Sequence, residues 1–432
     1  MTRQNDRRTR RAVLGSIATA GLIGVAGCSS SASSPTETTS TNETTTTANQ
    51  TTQQTTTTAE PQLAETEVFE DFEDLSQWSV EGGSLEADDS TVYAGSQSAR
   101  LERGDGPVVL TRDVDLDLSS ENLSMAFRMD SPGNAVVQLA IQAPDESNQL
   151  VLGEGVRQET SGNWLRIDAG ARDVTGLPEL ENVQKLSVRV RGGERNTKFW
   201  VDDLRRVPSP EEGHAVVFFD DGLESAYTEA FDVLSERDMP ATVPVVTDNV
   251  GDDGSLSLDQ LGELSSNGWA VCSHTSTHTN LEDISRLTAE QEIVNAKEWL
   301  VDQGFETGSR WLVYPFGGFS DAVTSFAEKH HDLAFRYVGT RSIGSGRVTE
   351  PMTVSRGDAS DLEIAKKMVD LGKLYNDIEL FTFHDINERG DGLAVTPGEF
   401  EEFVDYLDNS SLKVTTPETI HTDLRADVSD GG

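Results

Sequence analysis

The chain has 432 residues, long enough for two folded domains and connecting segments. Its 75 acidic and 34 basic residues give a formal net charge of −41, which repels nucleic acid and anionic lipid surfaces and argues against both as partners. The acids are spread along the whole length, so the charge reads as a hydrated surface suited to concentrated salt. The only two cysteines, Cys28 and Cys272, give no disulfide framework.

In chain order, Arg7-Arg8 and Arg10-Arg11 precede an apolar stretch, Ala12 to Ala26, too short and too glycine-rich to span a bilayer stably. Val25-Ala26-Gly27-Cys28 resembles a lipobox and the paired arginines resemble a twin-arginine export signal. Residues 1–28 are therefore expected to direct export, with Cys28 lipidated. The mature protein is then expected on the outer face of the cytoplasmic membrane, held there by the lipid alone. Residues 29–64 are mostly Thr, Ser, Asn and Gln, which cannot bury enough apolar surface to fold and are expected to form a disordered linker. Asn42-Glu-Thr44 and Asn49-Gln-Thr51 in this stretch are glycan acceptor patterns.

Over residues 65–208 the pattern changes to short runs of period two, such as Ala135-Val-Val-Gln-Leu-Ala-Ile-Gln142 and Leu186-Ser-Val-Arg-Val-Arg191, broken by Gly, Asp, Ser and Pro. Such a pattern predicts an all-β sandwich. Trp78, Trp164 and Trp200 are read as core residues, with stacking on a sugar ring as the alternative. Over residues 209–424 strand-like and helical patterns alternate, which predicts an α/β fold: a distorted (β/α) barrel of seven or eight parallel strands. Thr288-Ala-Glu-Gln291 and Thr396-Pro-Gly-Glu399 read as capping boxes at helix starts.

Chemistry concentrates where those strands end. Val216-Val-Phe-Phe-Asp220-Asp221-Gly222 is an apolar run closed by two carboxylates, which cannot both enter a core unless paired or bound to a cation. Trp269-Ala-Val-Cys-Ser leads into His274-Thr-Ser-Thr-His278, whose spacing predicts two imidazoles on one face of a helical turn. Two neutral imidazoles and a carboxylate suit a divalent transition metal with an open position.

Phe219-Asp-Asp-Gly222, His274-Thr-Ser-Thr-His278, Tyr314-Pro-Phe-Gly317 and Phe383-His384-Asp385, in that order, resemble the motifs of the polysaccharide deacetylases, the family-4 carbohydrate esterases. The resemblance implies Asp220 as general base and Asp221, His274 and His278 as ligands of a metal. Zinc is the expectation, with cobalt, manganese, nickel or iron as alternatives. It further implies the Phe316 N–H as oxyanion donor, His384 as the acid that protonates the departing amine, and an N-acetylated polysaccharide or oligosaccharide as substrate. Two departures bear on what orients these acids: Phe218 stands where the family favours Thr or Ser, and Val313 where it favours Arg. Arg310, Arg356 and Asp358 are the candidates to supply that support. Separately, Phe69-Glu-Asp-Phe-Glu-Asp and Phe199-Trp-Val-Asp-Asp-Leu resemble the ends of jelly-roll carbohydrate-binding modules, which implies Glu70 and Asp202 as ligands of a structural calcium. The alternatives to a polysaccharide deacetylase are a carbohydrate-binding or adhesion lipoprotein with a non-catalytic barrel, and a hydrolase of another amide or an O-acetyl ester.

Overall fold

The computed structural model describes residues 61–130, 134–157, 162–192, 196–339, 344–390 and 392–428. The export signal, Cys28 and nearly all of the expected linker lie outside the described residues.

Residues up to Pro208 form two six-stranded antiparallel sheets. One is centred on Glu121–Asp130 and Lys198–Pro208, the other on Ala135–Gln142 and Val183–Gly192. Side chains alternate along each strand, so Phe127 and Phe199 from one sheet share a core with Val137, Leu139 and Val188 from the other. Trp78 and Trp200 are buried, at 7% and 5% exposure, whereas Trp164 remains half-exposed.

Seven parallel strands then close on themselves. They are β1 (His214–Phe219), β2 (Thr242–Val245), β3 (Ala270–Ser273), β4 (Trp311–Val313), β5 (Leu333–Tyr337), β6 (Val354–Asp358) and β7 (Ile378–Phe383), with β7 returning to β1. The eighth strand-like run, Lys413–Thr415, pairs alongside β1 and lies outside the closed ring. Every residue of β1 and of β7 is buried, as expected for strands covered on both faces. The Thr396 capping box is present, but the helix expected to start at Thr288 starts at Arg286, capped by the Ser285 hydroxyl.

Sandwich and barrel meet over a buried polar seam. The Arg336 guanidinium pairs with the Glu154 carboxylate inside it, and the Asp168 carboxylate accepts the Thr349 N–H and hydroxyl at 2.8 and 2.6 Å. Gly170 approaches Gly344 so closely that an added Cβ would lie 2.5 Å from the Gly344 carbonyl carbon, so only glycine fits. A short strand near the start, Ala64–Glu65, pairs in parallel with Ala426–Asp427 near the end.

Glu70 and Asp202, the expected ligands of a structural calcium, each have partners within the protein. Glu70 is neutralised by Arg112 and accepts the Phe72 N–H at 2.8 Å and the Trp78 indole N–H at 3.1 Å. Asp202 spends its oxygens on the N–H groups of Tyr93, Ala94 and Asp203. Burial, only partly offset by these bonds, raises its pKa to about 6.

Candidate active site

The C-terminal rim of the barrel gathers the residues singled out by sequence. β1 ends at Phe219, and the chain turns sharply through Asp220, Asp221 and Gly222, with Asp221 at φ 72° and Gly222 at φ 66°. The turn sends the two carboxylates in different directions. Asp220 is 3% exposed and forms a bidentate pair with Arg356, Nη1 to Oδ1 at 2.8 Å and Nη2 to Oδ2 at 2.9 Å. Burial works to raise the Asp220 pKa, but the Arg356 guanidinium outweighs it and holds the group down at about 2. Arg356 comes from β6 and lies over the Phe218 ring, 4.6 Å from its centroid. Phe218, unusual for the family at this position, is thus the platform on which the arginine rests.

Asp221 points the other way. Its Oδ1 is 3.5 Å from His274 Nε2 and 3.2 Å from His278 Nε2, and one ligand atom from each of the three residues lies within 4.8 Å of the others. His274 Nδ1 is 2.8 Å from the Val313 carbonyl, which can only accept, so Nδ1 carries a proton and Nε2 is the nitrogen that faces Asp221. Burial opposes ionisation of Asp221, but bonding and charge from His274 override it and lower its pKa. Burial, followed by His274, lowers that of His278. An ionised carboxylate beside two imidazole Nε2 atoms, which a cation would take in place of their protons, is a ligand set that a divalent cation can use. The donor set fits such a metal.

The two histidines are not on a helical turn. Residues 274–278 form an irregular loop with Thr275 at φ 64° and His278 at φ 60°, which leaves the rings 4.8 Å apart. Glu292, from the helix Arg286–Asp302, holds this loop by accepting the N–H groups of Ser276 and Thr277 at 3.1 and 2.8 Å and the Thr277 hydroxyl at 3.0 Å. Nothing in the sequence marked Glu292, which sits in an ordinary amphipathic helix. Asp221, Thr275, His278 and Phe316 are four of the nine described non-glycine residues with positive φ, so backbone strain concentrates at this rim.

Phe316 follows β4 at φ 58°, with its ring 54% exposed and 4.7 Å from that of His278. Gly317 lets this loop lie against β5, because a Cβ there would sit 2.7 Å from the Tyr337 nitrogen. His384 follows β7, with its ring edge-on to Tyr337 at 6.2 Å and a buried Nδ1 that has no partner among the described residues. Beyond it, Asp385 accepts the Ser225 hydroxyl at 2.7 Å, tying this loop to the one after Asp221.

Of the three supporting candidates, Arg356 is the one in contact with Asp220. Asp358 ends the same strand but bonds Ser360 through its N–H and hydroxyl. Arg310 precedes the first residue of β4, and so lies at the opposite end of the barrel, where it pairs with Asp332 and stacks on Trp311. Cys272 lies buried inside β3, where burial pushes its thiol pKa up and leaves it unreactive.

Residues 208–334 match the family model for polysaccharide deacetylases. YxkH of Bacillus subtilis, provisionally named a polysaccharide deacetylase, is 28% identical over 222 residues, covering 48% of this chain and 79% of that protein. The chitooligosaccharide deacetylase of Sinorhizobium fredii is 32% identical over 126 residues, 28% of this chain and 57% of its own length. The solved structure of the peptidoglycan deacetylase PdaC of Bacillus subtilis aligns at 19% identity over 49% of this chain and 91% of that one, with a TM-score of 0.35, too low to bear on the argument. The family match runs from β1 through β4 to the start of β5 and takes in the Asp220-Asp221 turn and the His274 to His278 loop: residues 208–334 of this chain carry a domain of the polysaccharide deacetylase family of hydrolases.

Proposed function

We propose that the protein is a metal-dependent hydrolase that removes N-acetyl groups from an N-acetylated surface or extracellular polysaccharide. The reading rests on one observation: Asp221, His274 and His278 converge beside Asp220, whose carboxylate Arg356 fixes and keeps ionised. Asp221, His274 and His278 would hold the metal, with zinc best suited and cobalt, manganese, nickel or iron compatible with the same donors. Bound there, the metal supplies Lewis acidity towards the acetyl carbonyl and the attacking water.

Asp220 takes the proton from that water as its oxygen bonds to the acetyl carbon. A carboxylate held near pKa 2 is ionised throughout the working range but is a weak base, so Arg356 contributes orientation more than basicity. The Phe316 N–H receives the developing oxyanion, and the exposed Phe316 ring meets the sugar. As the C–N bond breaks, His384 gives its proton to the departing amine nitrogen and acetate leaves. Acetate release from a panel of defined N-acetylated glycans, with each metal added back to chelated protein, tests the reading. Release from none of them, or release that survives complete chelation, contradicts it.

We place the enzyme outside the cell, anchored through a lipid on Cys28, on the strength of the arginine pairs and the lipobox-like Val25 to Cys28. Substituting Cys28 should release the protein from the membrane fraction, and unchanged fractionation contradicts the anchor. The distributed charge of −41 supports function in concentrated salt. A melting temperature that is the same in dilute and molar salt would count against that.

A further inference from the structure

A cleft of about 280 Å³ opens between sandwich and barrel and takes no part in the chemistry described above. Its sandwich wall carries Tyr93 and Trp164, whose rings meet at 5.5 Å and 63°, with Arg166 behind them, its guanidinium 5.6 Å from the centroid of the Tyr93 ring. Trp164 is the one tryptophan of the sandwich that is left partly exposed. Arg166 is 3% exposed. Its Nη1 donates to Asp203 at 2.6 Å and its Nε to the Ser124 hydroxyl at 3.0 Å, but Nη2 is buried and has no hydrogen-bond partner among the described residues. Across the cleft the Thr353 hydroxyl is likewise buried without a partner. Glu350 beside it accepts only the Met352 N–H, at 3.1 Å, and burial raises its pKa. An unused donor and an unused hydroxyl just behind the walls, with an under-used carboxyl between them, suit a guest that both gives and accepts hydrogen bonds.

The chemistry of the walls narrows the guest. Asp321, Glu328 and Glu350 outnumber Arg166, which disfavours an anion, and the guanidinium in the wall disfavours a simple cation. Orphaned polar atoms disfavour an apolar ligand, which would leave them unpaired. An uncharged ring with an apolar face and hydroxyl edges meets both the aromatic pair and the polar atoms. Glu350, Met352 and Thr353 precede β6 and so lie toward the far end of the barrel, but one side of the cleft leads to the catalytic rim. Phe319 lines the cleft, packs on the Tyr314 ring at 5.5 Å, and lies three residues beyond Phe316 in the same loop.

We propose that this cleft is an accessory saccharide site, holding one uncharged sugar ring of the polymer whose acetyl group is cleaved at the barrel rim. The proposal rests on the deacetylase reading for the identity of the polymer but not for the existence of the site. It explains why sandwich and barrel are held in one fixed relation: a composite site needs both walls.

The test uses the full chain and a soluble hexamer of N-acetylglucosamine. Binding is measured by calorimetry in an Asp220→Asn background, so that no substrate is consumed, and turnover is measured in the parent. Tyr93→Ala removes an exposed ring, and Ser325→Trp fills the cleft from the barrel side. Each should weaken hexamer binding by about 5-fold or more, the worth of one stacked ring, and raise KM for the hexamer. In both variants kcat/KM for the dimer should stay unchanged. Parent-like hexamer affinity and KM in a Tyr93→Ala protein that melts normally overturns the proposal, whether or not Ser325→Trp folds, and so does failure of the unsubstituted chain to bind the hexamer. If no glycan is deacetylated yet both variants lose hexamer binding, the deacetylase reading fails and the saccharide site stands. If all three proteins deacetylate the hexamer equally well, the reading stands and the site fails.

Discussion

Two pairs of acids, three of the four buried, lie at opposite ends of neighbouring strands. β1 and β7 run in register from His214 beside Ile378 to Phe219 beside Phe383. Past the C-terminal end of β1 come Asp220 and Asp221, and at the N-terminal end of β7 come Asp377 and Glu379. Asp220, Asp377 and Glu379 are all within 3% of complete burial. Their ionisation nevertheless differs widely. Arg356 holds Asp220 at about 2, whereas burial raises Asp377 to about 7 and Glu379 well above the usual carboxylate range. Asp377 has only the Ala171 N–H at 2.6 Å and the Asn122 amide at 3.4 Å, and neither oxygen of Glu379 has a partner among the described residues. Burial is common to both ends, so the partner decides the charge. The rim is built to carry negative charge, and the seam is built to exclude it.

Breaking the Arg356 pair should have the largest effect. Arg356→Met leaves a buried carboxylate without a counter-ion, which should cost about 3–5 kcal/mol of stability at neutral pH in denaturant unfolding and abolish most turnover. Adding Asp220→Asn should restore much of the stability and none of the activity. A stable Arg356→Met protein at pH 7 would mean that Asp220 does not depend on this partner.

The seam should respond to pH in the opposite sense. Between the unfolded carboxylate pKa and about 7, folded Asp377 holds a proton that the unfolded chain has released, so stability falls as pH rises through that window. A shift of this size corresponds to a loss on the order of 4 kcal/mol. Glu379 adds to the loss in the same direction. Asp220, with its depressed pKa, contributes stability above the unfolded value and loses it only as pH falls through about 2. Melting temperatures recorded from pH 5 to 9 should therefore decline, and Glu379→Gln should flatten the decline. A profile that is flat in the parent, or identical in the variant, would remove the contrast between the two ends.

Glu292→Gln offers the smallest and sharpest change. It keeps an acceptor for the loop at 274–278 but removes the charge, and should weaken metal affinity by about 10-fold without unfolding the protein. Unaltered metal affinity would show that the loop holds its own shape.

The sequence made the barrel legible because buried parallel strands read as short apolar runs, and the runs ending at Phe219, Ser273, Val313 and Phe383 each stop where chemistry begins. It misread the shape of the His274 to His278 loop, since a spacing of four fits a helix and the left-handed backbone at Thr275 and His278 leaves no mark in residue type. Arg310 drew notice by nearness in the chain to the Tyr314 motif. A residue before a strand, however, lies a full strand length from one after it. Arg356 and Asp220 meet across 136 positions, and only the closure of the ring brings them together. Glu70 had the residue type of a cation ligand, and Arg112, 42 positions away, gives it a cationic partner that no spacing announced.

The division of labour at the rim is tested most directly by measuring bound metal and acetate release together in Asp220→Asn, Asp221→Asn, His274→Ala and His278→Ala. The account predicts that the last three lose metal and activity in parallel. It also predicts that Asp220→Asn keeps its metal while turnover falls by about 10²–10⁴-fold, the usual worth of a positioned general base. Metal lost from Asp220→Asn but retained by Asp221→Asn would reverse the roles of the pair, and unchanged turnover in both would remove this site from the reaction.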